Sequence, residues 1–418
     1  MEFISKDYAR FTPVNSSNSY SPTEGQSIIR LQIPDGNKYL DGSLLRLNGK
    51  IRLKNCVNKE DSGVTQSVYM SALSGVHSFI QQITINSFKS QTVLERNNNY
   101  GRMVGSLMMC NNDENDFKTK VGNQSLNTAS VTNTYQSLVN DGGAGEISFS
   151  IPLLCGIFNG GEPLPLSSSW GVGGLSIEIL LCNPLDGLYD LNTGGGVNPS
   201  LTASFDWTDI CITAPVYTPS PQMLQGLLSN PQGSIEFMNW SNLYNVINSD
   251  NAVVSYNLGL NNVVSSFNNY IKTANLSSDK NGMANEDIGL KSLVYGKGGV
   301  RFPNEYKVNI NPDQISSIIA VPETSVEVNN TQSEIKRELL TSFRPYSRCG
   351  HNIIGKGVGT EPTMATGIRY DSISSGVDYT NTPFSYELQS QINETTAVFS
   401  YFLSKKTLMY NQQVASVM

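Results

Sequence analysis

The stretch Glu146–Asn183, EISFSIPLLCGIFNGGEPLPLSSSWGVGGLSIEILLCN, decides how the chain is read. Its first part, Glu146 to Leu154, is strand-like. Its last part, Gly174 to Cys182, places Leu175, Ile177, Ile179 and Leu181 on alternate positions, the period-two pattern of a strand with one buried face. Between them runs an apolar loop held by Pro163 and Pro165. Two alternating strands around a shaped loop predict a layered β architecture, and nothing in the stretch resembles a catalytic motif.

Composition points the same way. The chain has 418 residues, 36 of them Gly and 18 Pro, with 39% hydrophobic and only 15% charged residues. That length predicts two to three domains. Many short apolar runs broken by Gly and Pro favour an all-β chain with many turns. The net charge of −7 gives little long-range attraction for nucleic acid or an anionic membrane surface, and no run of Lys and Arg interrupts it. The start, MEFISKDYARFTPVNSS, lacks a basic region followed by an apolar core, so no signal peptide is expected. No stretch of about 18 apolar residues predicts a membrane span. Cys56, Cys110, Cys155, Cys182, Cys211 and Cys349 form no C-x-x-C and are read as free, mostly buried thiols of a reducing compartment. The sequons at Asn239 and Asn393 carry little weight in an Asn-rich chain without a secretory signal.

In chain order, residues 1–24 are polar and Pro-punctuated and read as an N-terminal arm, disordered until it meets a partner. Strands are expected at Ile28–Ile33, Leu44–Lys54, Val76–Phe88 and Phe205–Thr213, the last ending at Pro215. Asn48-Gly49 is either a tight hairpin or a bulge within one long strand. Val93, Tyr100, Val104 and Leu107 lie at helical spacing, which predicts a short helix within 92–109. Residues 111–144 form a long polar excursion. Pro215, Pro219, Pro221 and Pro231 mark a link between halves, with residues 219–233 as the linker proper. Beyond it, strands are expected at Ser234–Met238, Val253–Leu260, Val263–Ile271, Tyr306–Ile310, Ser316–Val321, Phe384–Leu388 and Ala397–Leu408, and a helix at Glu334–Leu340. The organisation is thus 1–24 arm, 25–218 first unit, 219–233 linker, 234–408 second unit and 409–418 tail. Val68–Ile83 and Val254–Ile271 share a loose pattern that fits an internal repeat.

Candidate chemistry is sparse. The two histidines, His77 and His351, form no metal-binding spacing, and structural roles are preferred for both. Cys349 and His351 at i, i+2 would point to opposite faces of a strand. Tyr295–Gly299 and Gly355–Thr360 are Gly-rich but lack the phosphate-loop pattern and read as turns. Asn111–Asp116, NNDEND, lacks the central Gly and distal Glu of a calcium loop and reads as a solvated acidic loop. Glu178 stands alone on its strand, and Asp206 and Asp209 bracket Trp207, which is thin support for a glycosidase pair. No catalytic, cofactor, metal or nucleic-acid residue is assigned.

Four features then give the chain a likeness. They are Phe79–Ile85 followed by Val93-Leu94-Glu95-Arg96 and Tyr100; Ile151–Leu154 with Gly156-Ile157-Phe158 and Leu164–Leu166; Leu175–Leu181 with Phe205–Thr213 leading into the Pro-rich link; and Thr382–Leu388 followed by Val398–Leu408. In that order and spacing the chain resembles the double jelly-roll major capsid proteins of small double-stranded DNA viruses, of the polinton-like virus and virophage type. The resemblance implies two tandem jelly-roll β-sandwiches with a few short helices in loops. It implies a homotrimeric, pseudo-hexameric capsomer that tiles an icosahedral shell around a DNA genome, and a place in the virion after synthesis as a soluble protein in the host cell. Its partners would be neighbouring capsomers and the penton and minor capsid proteins of the same virus, with arm and tail on the inner side and the 111–144 excursion a candidate for the outer face. No enzyme activity and no cofactor are implied. The alternatives are a jelly-roll carbohydrate-binding or glycan-hydrolysing protein, a secreted lectin, and a minor capsid or penton protein, which would usually hold a single roll.

Overall fold

The computed structural model describes residues 3–15, 17–54, 68–70, 74–109, 146–190, 204–273, 292–302, 308–309, 365–369, 376–389, 394–412 and 414–418. Among the described residues, sixteen strands carry the architecture, and shorter ones pair at their edges. The first eight are β1 (Phe3–Phe11), β2 (Ile28–Ile33), β3 (Arg46–Lys54), β4 (Ile80–Ser87), β5 (Val93–Asn98), β6 (Glu146–Pro152), β7 (Leu175–Leu181) and β8 (Ser204–Pro219). They pair antiparallel into two sheets, β1-β8-β3-β6 and β2-β7-β4-β5. The next eight are β9 (Gly233–Ile247), β10 (Asn251–Tyr256), β11 (Val263–Lys272), β12 (Ser292–Lys297), β13 (Val300–Phe302), β14 (Ala365–Arg369), β15 (Phe384–Gln389) and β16 (Thr396–Tyr410). They pair as β9-β16-β11-β14 and β10-β15-β12-β13. Adding eight to each label of the first set gives the second set. The chain is two jelly rolls of one topology in tandem.

The alternation in β7 does what its sequence predicts. Ile177 lies opposite Leu31 on one side and Ile85 on the other, and Ile179 opposite Ile29 and Ile83. All six are fully buried, while Glu178 faces outward. The facing sheet contributes Leu47, Ile51, Ile151, Phe205, Trp207 and Ile212, and Phe79 and Phe205 meet edge to face at 4.6 Å. Each such aliphatic or aromatic side chain contributes about 1.5–3 kcal/mol on burial.

Asn48-Gly49 makes no hairpin: β3 runs straight through it. The irregularity sits on the neighbouring strand, where Thr208 pairs with Lys50 but Cys211 with Asn48, so Asp209 and Ile210 oppose Gly49 alone. Asp209 takes a positive φ of 54° there. A side chain at Gly49 would collide with Ile210 Cδ1 at 2.3 Å and Phe149 Cζ at 2.9 Å. Glycine is therefore set by the bulge across the sheet rather than by a turn of its own. At Tyr295–Gly299 the predicted turn is a two-residue hairpin. Gly298 and Gly299, both at positive φ, join β12 to β13 with Lys297 opposite Val300.

Several expectations are corrected. Residues 1–24 are not a free arm in their first part, because Phe3–Phe11 is an edge strand, paired with β8 from Phe3–Pro219 to Phe11–Ile212. Its side chains are mostly exposed, so the backbone ladder holds it and no apolar period marks it in the sequence. The strand read as Phe205–Thr213 continues through Pro215 to Pro219. Pro215 is tolerated because β8 changes partner there, from β3 up to Thr213 to the short strand Tyr39–Leu40 from Val216. Residues 76–79 belong to a 3-10 helix, Gly75–Phe79, that leads into β4, and the fully buried His77 lies in it rather than in a strand. The helix expected within 92–109 is half strand: β5 ends at Asn98, and helix α1 (Tyr100–Met109) follows. Within the linker, helix α2 (Pro221–Ser229) starts with Pro221 at its first turn and Ser220 accepting the Met223 N–H. The last residues fold back, with Ala415–Val417 pairing with Leu408–Tyr410. The stretches matched as a repeat are not equivalent strands: Val68–Ile83 leads into β4, whereas Val254–Ile271 runs from β10 into β11.

The 111–144 excursion, Asn111–Asp116, Cys56, Cys110, Cys349, His351, Gly355–Thr360, Ser316–Val321 and Glu334–Leu340 lie outside the described residues. Of Tyr306–Ile310, Val308–Asn309 is a short strand on β12.

Candidate functional site: the seam between the two rolls

The run Thr396–Phe402, TAVFSYF, is buried at every residue. A strand reads this way when both faces are covered. Val398 and Phe402 point into the core of the second roll, with Val254, Tyr270 and Phe384. Ala397, Phe399 and Tyr401 point the other way and join the core of the first roll. The sheet β9-β16-β11-β14 thus has its own roll on one face and the first roll on the other.

The first roll meets that sheet with two elements whose contacting residues, Glu95 and Gly156, lie 61 residues apart in sequence. A bulge in β5, where Ile85 pairs with Glu95 but Asn86 with Val93, puts both Leu94 and Glu95 inside. The Glu95 carboxylate accepts the N–H of Gly156 on Oε1 and of Ile157 on Oε2, each at 2.8 Å, and the Asn97 amide at 2.8 Å. It caps the 3-10 turn Gly156–Phe158. Tyr100 Oη accepts the Leu154 N–H at 2.8 Å, and the Asn159 side-chain amide donates to the carbonyls of Leu153 and Cys155, which closes the loop. Burial pushes the Glu95 carboxyl up, against the three donors that favour its charge. Burial, with Glu95 nearby, pushes the Cys155 thiol well up. That thiol is shielded and unreactive, as a structural cysteine is.

The capped turn lies directly on the second roll. A Cβ on Gly156 would stand 1.6 Å from the Met238 carbonyl oxygen, so backbone touches backbone and only glycine fits. Next to it, the start of α1 supplies the polar part of the seam. Asn99 Nδ2 donates to Asn242 Oδ1 at 2.7 Å, and the Arg102 guanidinium sits 4.4 Å over the Phe399 ring. Helix α1 is itself pressed on the Gly75–Phe79 turn: a Cβ on Gly101 would meet the His77 carbonyl at 2.6 Å, and the rings of His77 and Tyr100 are 5.5 Å apart. At the far end, the Lys89 ammonium donates to the carbonyls of Ser168, Asn411 and Gln412, and the hydroxyls of Ser90 and Thr92 donate to the Ala415 carbonyl. The β4–β5 turn therefore holds the chain's C-terminal segment.

The sequence singled out none of Asn99, Arg102, Lys89 or Asn242. The one available signal was Arg102, a lone cation in the otherwise uncharged YGRMVGSLMM. The carboxylates weighed for glycan chemistry are not brought together. Glu178 pairs with Arg30 at 3.0 Å on the outer face of β7, while Asp206 and Asp209 lie on β8 of the other sheet, at 3.4 Å from Arg52 and 3.2 Å from Lys50. Cys155, Cys182 and Cys211 are free and buried. Among the described residues, no three His, Cys, Asp or Glu gather as metal ligands.

Viral capsid proteins are among the solved structures that share this arrangement. The chain matches the Faustovirus major capsid protein at a TM-score of 0.59 and 9% identity, over 97% of this chain and 90% of that one. It matches a chain of the Sputnik virophage at 0.58 and 10%, over 100% and 88%. It has the fold of double jelly-roll capsid proteins. The mavirus major capsid protein matches at 0.51 and 10%, over 98% and 90%. No protein-family model and no curated protein matches the sequence. At these identities the double jelly roll is shared through its strand order rather than through conserved side chains.

Proposed function

We propose that this chain is the major capsid protein of an icosahedral double-stranded DNA virus, a structural protein rather than an enzyme. The observation that carries the reading is the repetition, among the described residues, of one eight-strand order in two rolls joined side by side by a buried seam. A chain of that build supplies two similar wall elements at once. Three copies then present six rolls, a near-hexagonal block suited to tiling, and we assign it a homotrimer. The chain divides at α2, with one roll on each side. Neighbouring capsomers and the penton and minor capsid proteins of the same virion are its partners, and the virion is its location. The seam supports this reading because its contacts are buried and close-packed, with Ala397, Phe399 and Tyr401 in the core of the first roll and Gly156 against the Met238 carbonyl. Among the described residues no helix is long and apolar enough to cross a membrane. Glu178 lies on a different sheet from Asp206 and Asp209, so these three carboxylates do not support the glycan-hydrolase alternative.

The test is the purified full chain. Size-exclusion chromatography with light scattering is expected to give a trimer, and negative-stain images to show hexagonal blocks or shells. A monodisperse monomer at micromolar concentration overturns the proposal.

A further inference from the structure

The inner face of the sheet β9-β16-β11-β14 is not apolar throughout. In β11, Ser266, Asn268 and Tyr270 alternate and lie opposite Phe402, Ser400 and Val398 of β16. Val398, Phe402 and Tyr270 belong to the core of the second roll, so Ser266, Asn268 and Ser400 share their face and point into that core. Ser404 follows on β16, opposite Val263 of the same core. These three serines and Asn268 are each at most 2% exposed. On β3 and β8 of the first roll, which correspond to β11 and β16, the core instead takes Leu47, Ile51, Phe205 and Trp207.

From the facing sheet, β10 and β15 send two tyrosines to the same spot. The hydroxyls of Tyr256 and Ser400 are 3.3 Å apart, a contact that crosses the core from one sheet to the other. The buried Tyr386 hydroxyl lies beside both. Burial pushes the Tyr256 phenol up and the Tyr386 phenol well up, so each stays a hydroxyl that can donate and accept. The group does not satisfy itself. Among the described residues, Asn268 Oδ1 and Nδ2, Ser266 Oγ, Ser404 Oγ and Tyr386 Oη are buried with no partner in hydrogen-bond geometry. Orphaned polar atoms gathered in one core are costly unless solvent meets them, and a buried water typically makes about three hydrogen bonds.

We infer that the second roll holds a bound-water site between its two sheets, where ordered water links the Asn268 amide and the Ser266 and Ser404 hydroxyls of one sheet to the Tyr386 hydroxyl of the other. All the side chains involved are neutral and offer donors and acceptors together, which suits water rather than an ion. The site also ties the seam to the rest of its roll. The Ser400 carbonyl accepts the Asn242 amide, whose oxygen accepts from Asn99 of the first roll, while the Ser400 hydroxyl belongs to the interior cluster. Water that holds the two sheets together at this point therefore steadies the strand on which the first roll rests.

The test is a crystallographic or cryo-electron microscopy map of the full chain at a resolution that shows ordered solvent. Water is expected within hydrogen-bonding distance of the Asn268 amide and of Tyr386 Oη, and none is expected among Ile51, Ile85 and Ile177 of the first roll. The same map of Asn268→Leu is expected to lose that water. In solution, Asn268→Leu is expected to lower the thermal midpoint, because it removes the amide that the water bridges. An amide left dry and unpaired would be relieved by leucine, and the midpoint would rise. A wild-type map without solvent at the Asn268 amide overturns the inference, and so does a raised midpoint for Asn268→Leu. If Asn268→Leu does not fold, the wild-type map decides alone.

Discussion

Glu95 Oε1 accepts the Gly156 N–H at 2.8 Å, and the same glycine has no room for a side chain because the Met238 carbonyl of the other roll fills it. One buried carboxylate thus shapes the turn that one roll presses on the next. Removing it strands two N–H groups, of Gly156 and Ile157, each at a cost on the order of 1–3 kcal/mol. Glu95→Ala is expected to lower stability by about that much per group, and Glu95→Gln by less, since the amide keeps one acceptor and loses the other. Urea unfolding of the three proteins checks the order; equal midpoints for wild type and Glu95→Ala would contradict the role given to this residue.

The same group sets a pH dependence. Its folded pKa is raised above the ordinary value of 4.5, with burial as the chief cause. The folded state therefore binds the proton more tightly than the unfolded state. The stability it contributes is fully present below pH 4.5 and is lost as pH rises through the folded pKa. Asp186, also raised by burial, acts in the same sense, and Asp378, lowered by the Thr380 hydroxyl and N–H, acts in the opposite sense at lower pH. The unfolding midpoint of the wild type is expected to fall more steeply than that of Glu95→Gln as pH rises from 4.5 to 7. Parallel curves for the two proteins would remove Glu95 as the source.

Two glycines give opposite expectations. At Gly156 the obstacle to a Cβ is backbone, 1.6 Å away, which cannot rotate aside. Gly156→Ala must open the seam, and overpacking of this kind costs about 1–3 kcal/mol or more. At Gly226, inside α2, nothing lies within 4 Å. Gly226→Ala is expected to stabilise by roughly 0.5–1 kcal/mol through helix propensity. Thermal midpoints moving in opposite directions check the pair, and a neutral Gly156→Ala would mean that the rolls are not in contact there.

What the sequence made legible follows from how each element is held. β2, β7 and β15 bury one face and show a period of two, so their places were readable from residues such as Ile177 and Ile179. Thr396–Phe402 was readable as buried, but its second covering came from a roll more than 200 residues away, which no local pattern encodes. Glu95 was hidden by the bulge that turns it inward, since a charged residue beside Leu94 in a plain alternating strand points to solvent. Gly49 looked like a turn because the residue that demands it, Ile210, belongs to another strand.

The first strand is the sharpest disagreement between pattern and fold, and it can be tested directly. Phe3–Phe11 lies along β8 in continuous antiparallel register apart from one irregularity between Phe3 and Ser5. Its stability comes chiefly from ladder hydrogen bonds worth on the order of 0.5–1.5 kcal/mol each, with Ala9 and Phe11 half-buried against the core and Phe3 packed on Tyr39 and Tyr217. Amide hydrogen exchange on the full chain is expected to show protection at alternate amides from Asp7 to Phe11, those that face β8, at levels approaching β3. Deleting residues 1–12 is expected to bare the edge of β8, a 16-residue strand, and so to lower the thermal midpoint and promote edge-to-edge aggregation. Uniform fast exchange across residues 3–11, with a deletion variant as stable and soluble as the wild type, would make this segment an arm after all.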